Sequence, residues 1–464
     1  MATTLMSGSE WASAEFGGAT LGDRRRASRL VQVAARFAAD PHGTLPGSFS
    51  SWAQTKAAYR LLEQKEVTYD GIIAPHLNRV RRNCGHGEYL LVEDTTTLDF
   101  TSHLAAQDLG RIGDDGGRGL FVHSTLALKI AWWKEQQEPQ VTVEGLFDQH
   151  WWARTMPSIG RGKEQKSRRL KRTRESQRWA AIVAQIDPPA DACWTFVADR
   201  ESDIYETFVR CRKQGWHFIV RANQPRALAQ PDGSVFAAVA QSPELGRFCV
   251  DLRARPGQAT RRAHVAVRSC TVHLRGPWRP GGSLAALPVN VVEAQEIDAP
   301  RGIDPIRWVL LTDWPNATFL QNLRVIKAYT RRWLIEEYHK ALKTGTGIEE
   351  SQLTTAQRIT ALLGILAVLA VRLVNLKLLA TTLPDQPLEP GELGPEVLAI
   401  LEAEYGRPAE GWTNARALTA IARFGGFLNR KGDGSPGWLT IWRGLQKLLW
   451  CTRGFDLDRK DKCG

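Results

Sequence analysis

The sequence YLLVED at Tyr89–Asp94 and the sequence CWTFVAD at Cys193–Asp199 decide the fold. Each is a short apolar run that ends in acidic residues, which is typical of a buried strand. Further runs of the same kind lie at Leu120–Trp132, Val141–Arg154, Trp216–Asn223 and Trp308–Asp313. Because strands that alternate with helices form one layered unit, this pattern predicts an α/β fold.

Helical patterns flank the α/β layer on both sides. Residues 8–70 have apolar residues at spacings of three and four, and the chain is helical again from about residue 352. Between residues 225 and 305, short β-like pieces lie between Pro and Gly turns, which indicates a β-rich insertion. We therefore predict a helical domain at 1–70, an α/β domain at 71–368 with its insertion at about 225–305, and a helical domain at 369–464.

The chain is basic, with 61 Lys and Arg against 49 Asp and Glu and a net charge of +12. Such a surplus favours a polyanionic partner, usually nucleic acid, although a basic soluble enzyme of another class would have the same balance. The densest basic run is Arg161–Arg178. The seven cysteines are odd in number and none are spaced as C-x-x-C, which argues against a zinc ribbon or a disulfide framework.

Two segments bear on targeting. The first residues, MATTLMSGSEWASAEF, lack a basic start followed by an apolar core, so we expect no signal peptide. The longest apolar run, Ile359–Val374, is interrupted by Arg372 and is short for a membrane span. It predicts a buried helix, and together these features predict a cytoplasmic protein without a membrane partner.

A helix predicted over Asn322–Lys343 has a polar side and an apolar side. At about 100° per residue, the polar residues fall within an arc of roughly 80°; they are Tyr329, Arg332, Glu336, Lys340 and Lys343. The far side holds Leu334, Ile335, Tyr338, Ala341 and Leu342. A solvated face with i,i+4 pairs also explains the stripe, and composition alone favours that explanation. A carboxylate among cations also suits a site that binds both metal and phosphate.

Asp94, Asp199 and Glu336 together could supply the carboxylates for such a site. Sites in open α/β sheets gather beyond the carboxyl ends of strands, although a single acid there is often only a turn former. Phosphodiester hydrolysis and strand transfer need an activated oxygen nucleophile and a stabilised leaving oxygen. Two Mg²⁺ ions roughly 4 Å apart can provide both, and Mg²⁺ prefers hard oxygen ligands.

These residues resemble the signature of the DDE transposases of bacterial insertion sequences, in particular the transposon-five branch of the insertion-sequence-four family. That signature is Tyr, two residues, Arg, three residues, Glu, six residues and Lys. The sequence YTRRWLIEEYHKALK has Tyr329, Arg332, Glu336 and Lys343 at this spacing. The acids lie in VEDTTTLDF and ADRESDIYE, and similar segments are LGDRRRASRLVQVAARFA, HWWAR, WVLLTDWP and AIARFGGFLNRKG. The resemblance covers nearly the whole chain.

The resemblance implies an RNase H-like catalytic core with a β-rich insertion, flanked by N-terminal and C-terminal helical domains. Asp94, Asp199 and Glu336 would hold two Mg²⁺ ions, which Mn²⁺ could replace. The phosphate-binding residues would be Tyr329, Arg332, Lys343, Lys340 and Arg221. Trp308 would stack on a base flipped out of the helix, because an aromatic ring restores part of the lost stacking; a buried position at a domain junction is the alternative for this residue.

The resemblance also implies the partners. The N-terminal domain would bind double-stranded terminal repeat DNA through Arg25, Arg26 and Arg29, for which a solvated helical face is the alternative. The C-terminal helices would form the homodimer of a synaptic complex, associated with the bacterial nucleoid. Glu337 competes with Glu336, and only the signature spacing selects Glu336; Asp99 and Asp203 are displaced from their motif positions.

The sequence thus predicts a cut-and-paste DNA transposase. It would cleave transposon ends through a hairpin intermediate and transfer the strands to target DNA. A non-catalytic DNA-binding regulator is the alternative, although a regulator has no need of three acids. A standalone nuclease would share the metal chemistry without joining ends to a target, and the basic charge disfavours a paired-carboxylate glycosidase.

Overall fold

The apolar runs form one ten-stranded mixed sheet in a computed structural model of the chain. The structure describes residues 8–113, 116–132, 138–154, 175–230, 233–252, 260–279, 281–382, 384–388, 393, 395–430, 433–437 and most of 440–452. Most of the basic run Arg161–Arg178 lies outside the described residues. The α/β prediction is confirmed, with helices before and after the sheet.

The strands are β1 (Gly87–Asp99), β2 (Gly110–Ile112), β3 (Gly117–Ala131), β4 (Gln140–Trp152), β5 (Ala192–Ala198), β6 (His217–Arg221), β7 (Glu244–Leu252), β8 (Arg261–Leu274), β9 (Trp278–Arg279), β10 (Gly282–Ser283), β11 (Leu287–Glu296) and β12 (Arg307–Thr312). The helices are α1 (Gly8–Phe16), α2 (Arg24–Ala39), α3 (Leu45–Ser48), α4 (Trp52–Leu62), α5 (Tyr69–Asn83), α6 (Tyr205–Lys213), α7 (Val235–Ala240), α8 (Phe319–Thr330), α9 (Trp333–Lys340), α10 (Ala356–Thr382), α11 (Pro395–Tyr405) and α12 (Asn414–Phe424).

The strand order is β2-β3-β1-β5-β6-β12-β11-β8-β7, with β4 paired to β3. Strands β1, β5 and β6 are parallel, whereas β3 and β4 form antiparallel pairs at one side. The β-like pieces predicted within 225–305 include β7, β8 and β11, and they extend the same sheet beyond β12. The insertion is therefore continuous with the central sheet through backbone hydrogen bonds.

The register places the two strand acids at the same level. β1 and β5 pair in parallel as far as Val92 and Val197, and Asp94 and Asp199 each lie two residues further along. Contrary to expectation, β1 does not end at Asp94 but continues to Asp99. The reason is its antiparallel partner β3, which pairs with every residue of β1 from Tyr89 to Asp99 and so satisfies the backbone beyond the acid.

The two faces of the sheet carry separate apolar layers, because successive strand residues point to opposite faces. Leu90 and Val92 belong to the layer that includes the N-terminal helices, α9 and α10. Leu91 and Phe196 belong to the layer on the other face. Asp94 has the parity of Leu90 and Val92, so it points to the face that the helices cover.

The apolar run near residue 365 lies inside α10, as expected. Within the described part of the chain, α10 is the one helix long and apolar enough to cross a membrane, and 83% of that apolar window is buried in the protein. It packs against α5, β4 and the N-terminal helices. Burial against these elements accounts for its composition.

The predicted continuous helix over Asn322–Lys343 is wrong. A capping box of Thr318 and Gln321 starts α8 at Phe319. After Thr330 the backbone amides donate to carbonyls three residues earlier, as in a 3-10 helix. At its other end, α9 continues into a π-helical turn at Ala341–Gly345. These changes rotate the residues after them, so a wheel of constant pitch misplaces Lys343.

Candidate active site

The three predicted acids come from three elements. Asp94 lies on β1, and its Oδ1 accepts a hydrogen bond from the Thr95 amide at 2.8 Å. Asp199 follows β5 directly and caps a short 3-10 turn by accepting from the Glu201 amide at 2.8 Å. Glu336 lies on α9, which packs against β1. One position within β1, the end of β5 and one helix therefore supply the three carboxylates.

Arg332 lies between two of these acids. Its Nη1 is 3.6 Å from Oδ2 of Asp94, and its Nη2 forms an ion pair with Glu336. The Arg332 side chain is 17% exposed, so the charges interact with little screening by water. This arginine thus supplies positive charge between β1 and α9.

The electrostatics of Asp94 connect all three acids. Burial raises the pKa of Asp94 to about 6, the Thr95 amide and Arg332 oppose the rise, and the negative charges of Asp199 and Glu336 add to it. Unrelieved repulsion among carboxylates is a condition that a divalent cation removes. Their oxygen donors fit a hard cation such as Mg²⁺.

The three acids do not form a preorganised metal site in the arrangement that the structure describes. Among the residues that the structure describes, no three His, Cys, Asp or Glu side chains are close enough together to hold an ion. Arg332 contacts both Asp94 and Glu336, so an ion bound by these two acids would compete with its guanidinium. The released guanidinium would then be available for a phosphate.

Four of the predicted phosphate and base contacts converge beside the acids. Tyr329 is 5% exposed and packs edge-on against Trp308, with ring centroids 5.6 Å apart. Burial raises the pKa of Tyr329, while the nearby charges of Arg332 and Arg221 lower it. Arg221 ends β6 and donates to the Arg307 carbonyl at 3.0 Å. A phenol, two guanidiniums and a half-buried indole therefore share this corner with Asp199.

The two lysines of the predicted stripe follow Glu336 along the chain. Lys343 is in the π-helical turn, and its Nζ is 3.7 Å from Oε1 of Glu349. It lines an open cavity of about 550 Å³ with Asp99 and Thr101. Lys340 is exposed on the last turn of α9. Their predicted role in phosphate binding stays a prediction.

The competing acids have structural partners of their own. Glu337 pairs with Lys377 of α10 at 2.7 Å and accepts from Nε1 of Trp333 at 3.3 Å. Asp203 is buried and paired with Arg226. Asp99 accepts from Thr101. Each carboxylate is thus already engaged in holding the fold.

A buried polar network beneath Asp94 was not anticipated. Ser124 lies directly opposite Asp94 on β3, and its Oγ accepts from Nε2 of Gln149 at 2.8 Å. Gln149 also donates to the Tyr338 hydroxyl at 2.8 Å and accepts from the Tyr69 hydroxyl at 2.9 Å. The network joins α5, β3, β4 and α9. Its only sequence signal was the presence of polar residues inside apolar strands.

The predicted N-terminal arginines begin α2. Asp23 caps the helix and pairs with Arg25, whose side chain is 92% exposed. Arg26 pairs with Glu66 at 3.2 Å and donates to the Leu21 carbonyl, so it stabilises the fold. Arg29 donates to Gln32 at 2.8 Å. Cations at a helix N-terminus oppose its dipole, and an anion bound there would relieve the repulsion.

Comparison with known families identifies three parts of the chain. The family described as Transposase DNA-binding matches residues 8–67, Transposase DDE domain matches residues 169–372, and Transposase Tn5 dimerisation domain matches residues 398–460. The chain belongs to the Tn5-like DDE transposases. The DDE match and the mixed sheet with helices at both ends confirm the predicted RNase H-like fold of this transposase.

The matches also support a general function, which is DNA transposition. A DNA-binding part, a DDE part and a dimerisation part occur in this order along one DNA transposase. DDE transposase domains generally depend on divalent metal.

Proposed function

We propose that this transposase cuts double-stranded DNA at the ends of its element and joins those ends to target DNA. The observation that carries the proposal is the electrostatic coupling of Asp94, Asp199 and Glu336 around Arg332. Coupled carboxylates at one sheet edge, next to a phenol and two guanidiniums, suit chemistry on a phosphodiester.

Asp94, Asp199 and Glu336 would hold two Mg²⁺ ions, for which Mn²⁺ could substitute. Bound there, the ions would activate the attacking oxygen and stabilise the leaving oxygen. Glu337 is the weaker candidate because its carboxylate is tied to Lys377.

The remaining residues would position the DNA. Arg332 would exchange an acid for a phosphate oxygen, with which a guanidinium forms two parallel hydrogen bonds. Tyr329 and Arg221 would orient the same phosphate at the cleaved end. Lys343 would bind the phosphate at the cleaved end together with Tyr329 and Arg332, and Lys340 would bind a DNA phosphate nearby.

Trp308 would support the hairpin step. The indole is half-buried at the start of β12 and is fixed against Tyr329. A flipped base that stacks on an aromatic ring gains about 1–3 kcal/mol. We expect Trp308→Ala to slow hairpin formation roughly 5- to 150-fold, while first-strand nicking slows less. Single-turnover assays on an end-labelled duplex measure both steps.

Trp308→Phe is the matched control, because it keeps an aromatic ring and should retain most of the hairpin rate. Equal slowing of nicking and hairpin formation in Trp308→Ala would remove the stacking role.

The flanking domains would assemble the complex in the bacterial cytoplasm, at the nucleoid. We propose the division 1–70, 71–368 and 369–464, with the insertion at about 225–305. The first domain would bind terminal repeats through Arg25 and Arg29, with Arg26 holding the local fold. The last would form the homodimer of the synaptic complex.

The experiment that tests this function incubates purified protein and Mg²⁺ with duplexes from its own element's ends and a target plasmid. We expect nicks, hairpins and joined products. Cleavage without joining would indicate a nuclease. Binding without cleavage would indicate a non-catalytic regulator, and either result would contradict the proposal.

A further inference from the structure

A cluster of stacked planar side chains lies at the same sheet edge as the acids. The Phe121 and Trp152 rings stack with centroids 5.2 Å apart and 13° between their planes. The Arg154 guanidinium lies 4.3 Å from the Phe121 centroid, and that of Arg178 lies 4.0 Å from the Trp152 centroid. We call these four residues the stacked cluster. Two guanidiniums thus lie over aromatic rings, within cation–π distance.

The two arginines differ in their charge partners. Glu175 receives two hydrogen bonds from Arg154, at 2.7 and 2.6 Å, and one from Nε1 of Trp152 at 3.4 Å. Arg178 forms no ion pair with any residue that the structure describes, although the charge of Glu175 acts on it from a longer distance. Its Nε is buried and donates no hydrogen bond. Arg178 is thus a half-buried cation with one unsatisfied donor, and an anion bound at its Nη groups would compensate part of the cost of burying its charge.

The register gives the position of the cluster relative to the acids. Phe121 pairs with Thr97 of β1. Thr97 lies three residues after Asp94, which is about 10 Å further along the strand. Because three residues separate Phe121 from Ser124, the partner of Asp94, the cluster points to the opposite face of the sheet. The N-terminal helices pack on the Asp94 face.

We propose that Arg178, which lies over the ring of Trp152, binds a backbone phosphate of duplex DNA beyond the cleavage position. This inference rests on the proposed function. DNA held by the N-terminal helices would approach the acids on the face of the sheet to which Asp94 points. DNA that continues past the acids would then reach the opposite face of the sheet. The phosphate belongs either to flanking DNA before cleavage or to target DNA after it. The terminal N–H groups of a guanidinium match the geometry of phosphate oxygens.

The test measures DNA binding in EDTA, where no cleavage occurs. The probes are an end duplex with flanking DNA, an end duplex that stops at the cleavage position, and an unrelated duplex offered to the complex with the cut end. For Arg178→Ala we expect about three- to ten-fold weaker binding of the flanked end or of the unrelated duplex, with a salt slope less steep by about one. Loss with the flanked end identifies flanking DNA, and loss with the unrelated duplex identifies target DNA.

Two further variants separate phosphate binding from a structural role. Trp152→Ala should reproduce the effect of Arg178→Ala, and Arg407→Ala, an exposed arginine of the C-terminal region, should change neither affinity nor salt slope. Thermal unfolding reports whether each variant is folded. Unchanged affinity and slope in Arg178→Ala, or an equal loss with the cut end alone, would overturn the inference. Wild-type protein that binds ends but never cleaves them would overturn the proposed function instead.

Discussion

Replacing Glu336 by glutamine should abolish DNA cleavage and leave binding of the transposon end largely intact. The carboxylate lies beside Arg332 and within the field of Asp94, where it would hold metal rather than DNA. Glutamine keeps the shape but removes the charge that a divalent cation requires. We expect cleavage to fall by at least about 10³-fold, as for loss of an essential catalytic group. Single-turnover cleavage and gel-shift titration measure the two quantities.

Glu337→Gln is the matched control for this prediction. It makes the same chemical change one residue further on, in a side chain that pairs with Lys377. Loss of that ion pair should lower the free energy of unfolding by the modest amount that is usual for ion pairs near the surface. Cleavage should stay within a few-fold of wild type. Loss of end binding as complete as loss of cleavage in Glu336→Gln would count against the metal assignment.

Arg332→Ala should impair both cleavage and binding. The guanidinium contacts Asp94 and Glu336 in the free protein and would contact phosphate in the complex. Its removal takes away the cation that contacts Asp94 and Glu336 and one donor to the phosphate. We expect cleavage to fall by roughly 10²- to 10³-fold, the usual effect of losing one donor to a developing charge. The salt dependence of end binding should also become less steep by about one phosphate contact.

Arg332→Lys distinguishes charge from geometry. Lysine keeps the positive charge but not the planar pair of donors, so it should restore binding more than cleavage. If Arg332→Ala bound and cleaved ends as well as wild type, the arginine would have only a structural role.

The strands and their acids could be predicted because each signal is local. An apolar run followed by an acid predicts each strand and marks Asp94 and Asp199 as candidates, and the parallel pairing of β1 with β5 places the two acids at one level. The end of β1 could not be predicted in this way. It depends on β3, which continues to pair beyond the acid.

The helix bearing Glu336 shows where periodicity fails. The burial of Ile335 and Tyr338 follows a regular wheel, and Glu336, on the polar side of that wheel, pairs with Arg332. The wheel cannot be extended to Lys343, because a π-helical turn changes the pitch after Lys340. Such a turn arises from tertiary contacts and leaves no mark on the spacing of apolar residues.

The polar network of Gln149 and the stacked cluster of Arg178 could not be predicted from the sequence, for a different reason. Gln149 meets Tyr69 and Tyr338 across large separations in sequence, and Arg178 meets Trp152 through stacking. None of these residues has a neighbour in sequence that discloses its partner. Only the fold brings them together.

The most direct test of the account is cleavage of a labelled duplex carrying the element's end, in Mg²⁺, by wild-type protein and by Asp94→Ala. The account predicts nicks, hairpins and double-strand breaks from the wild type, none from Asp94→Ala, and similar end binding by both. Equal cleavage by the two proteins would contradict the assignment of Asp94 and the metal site built on it.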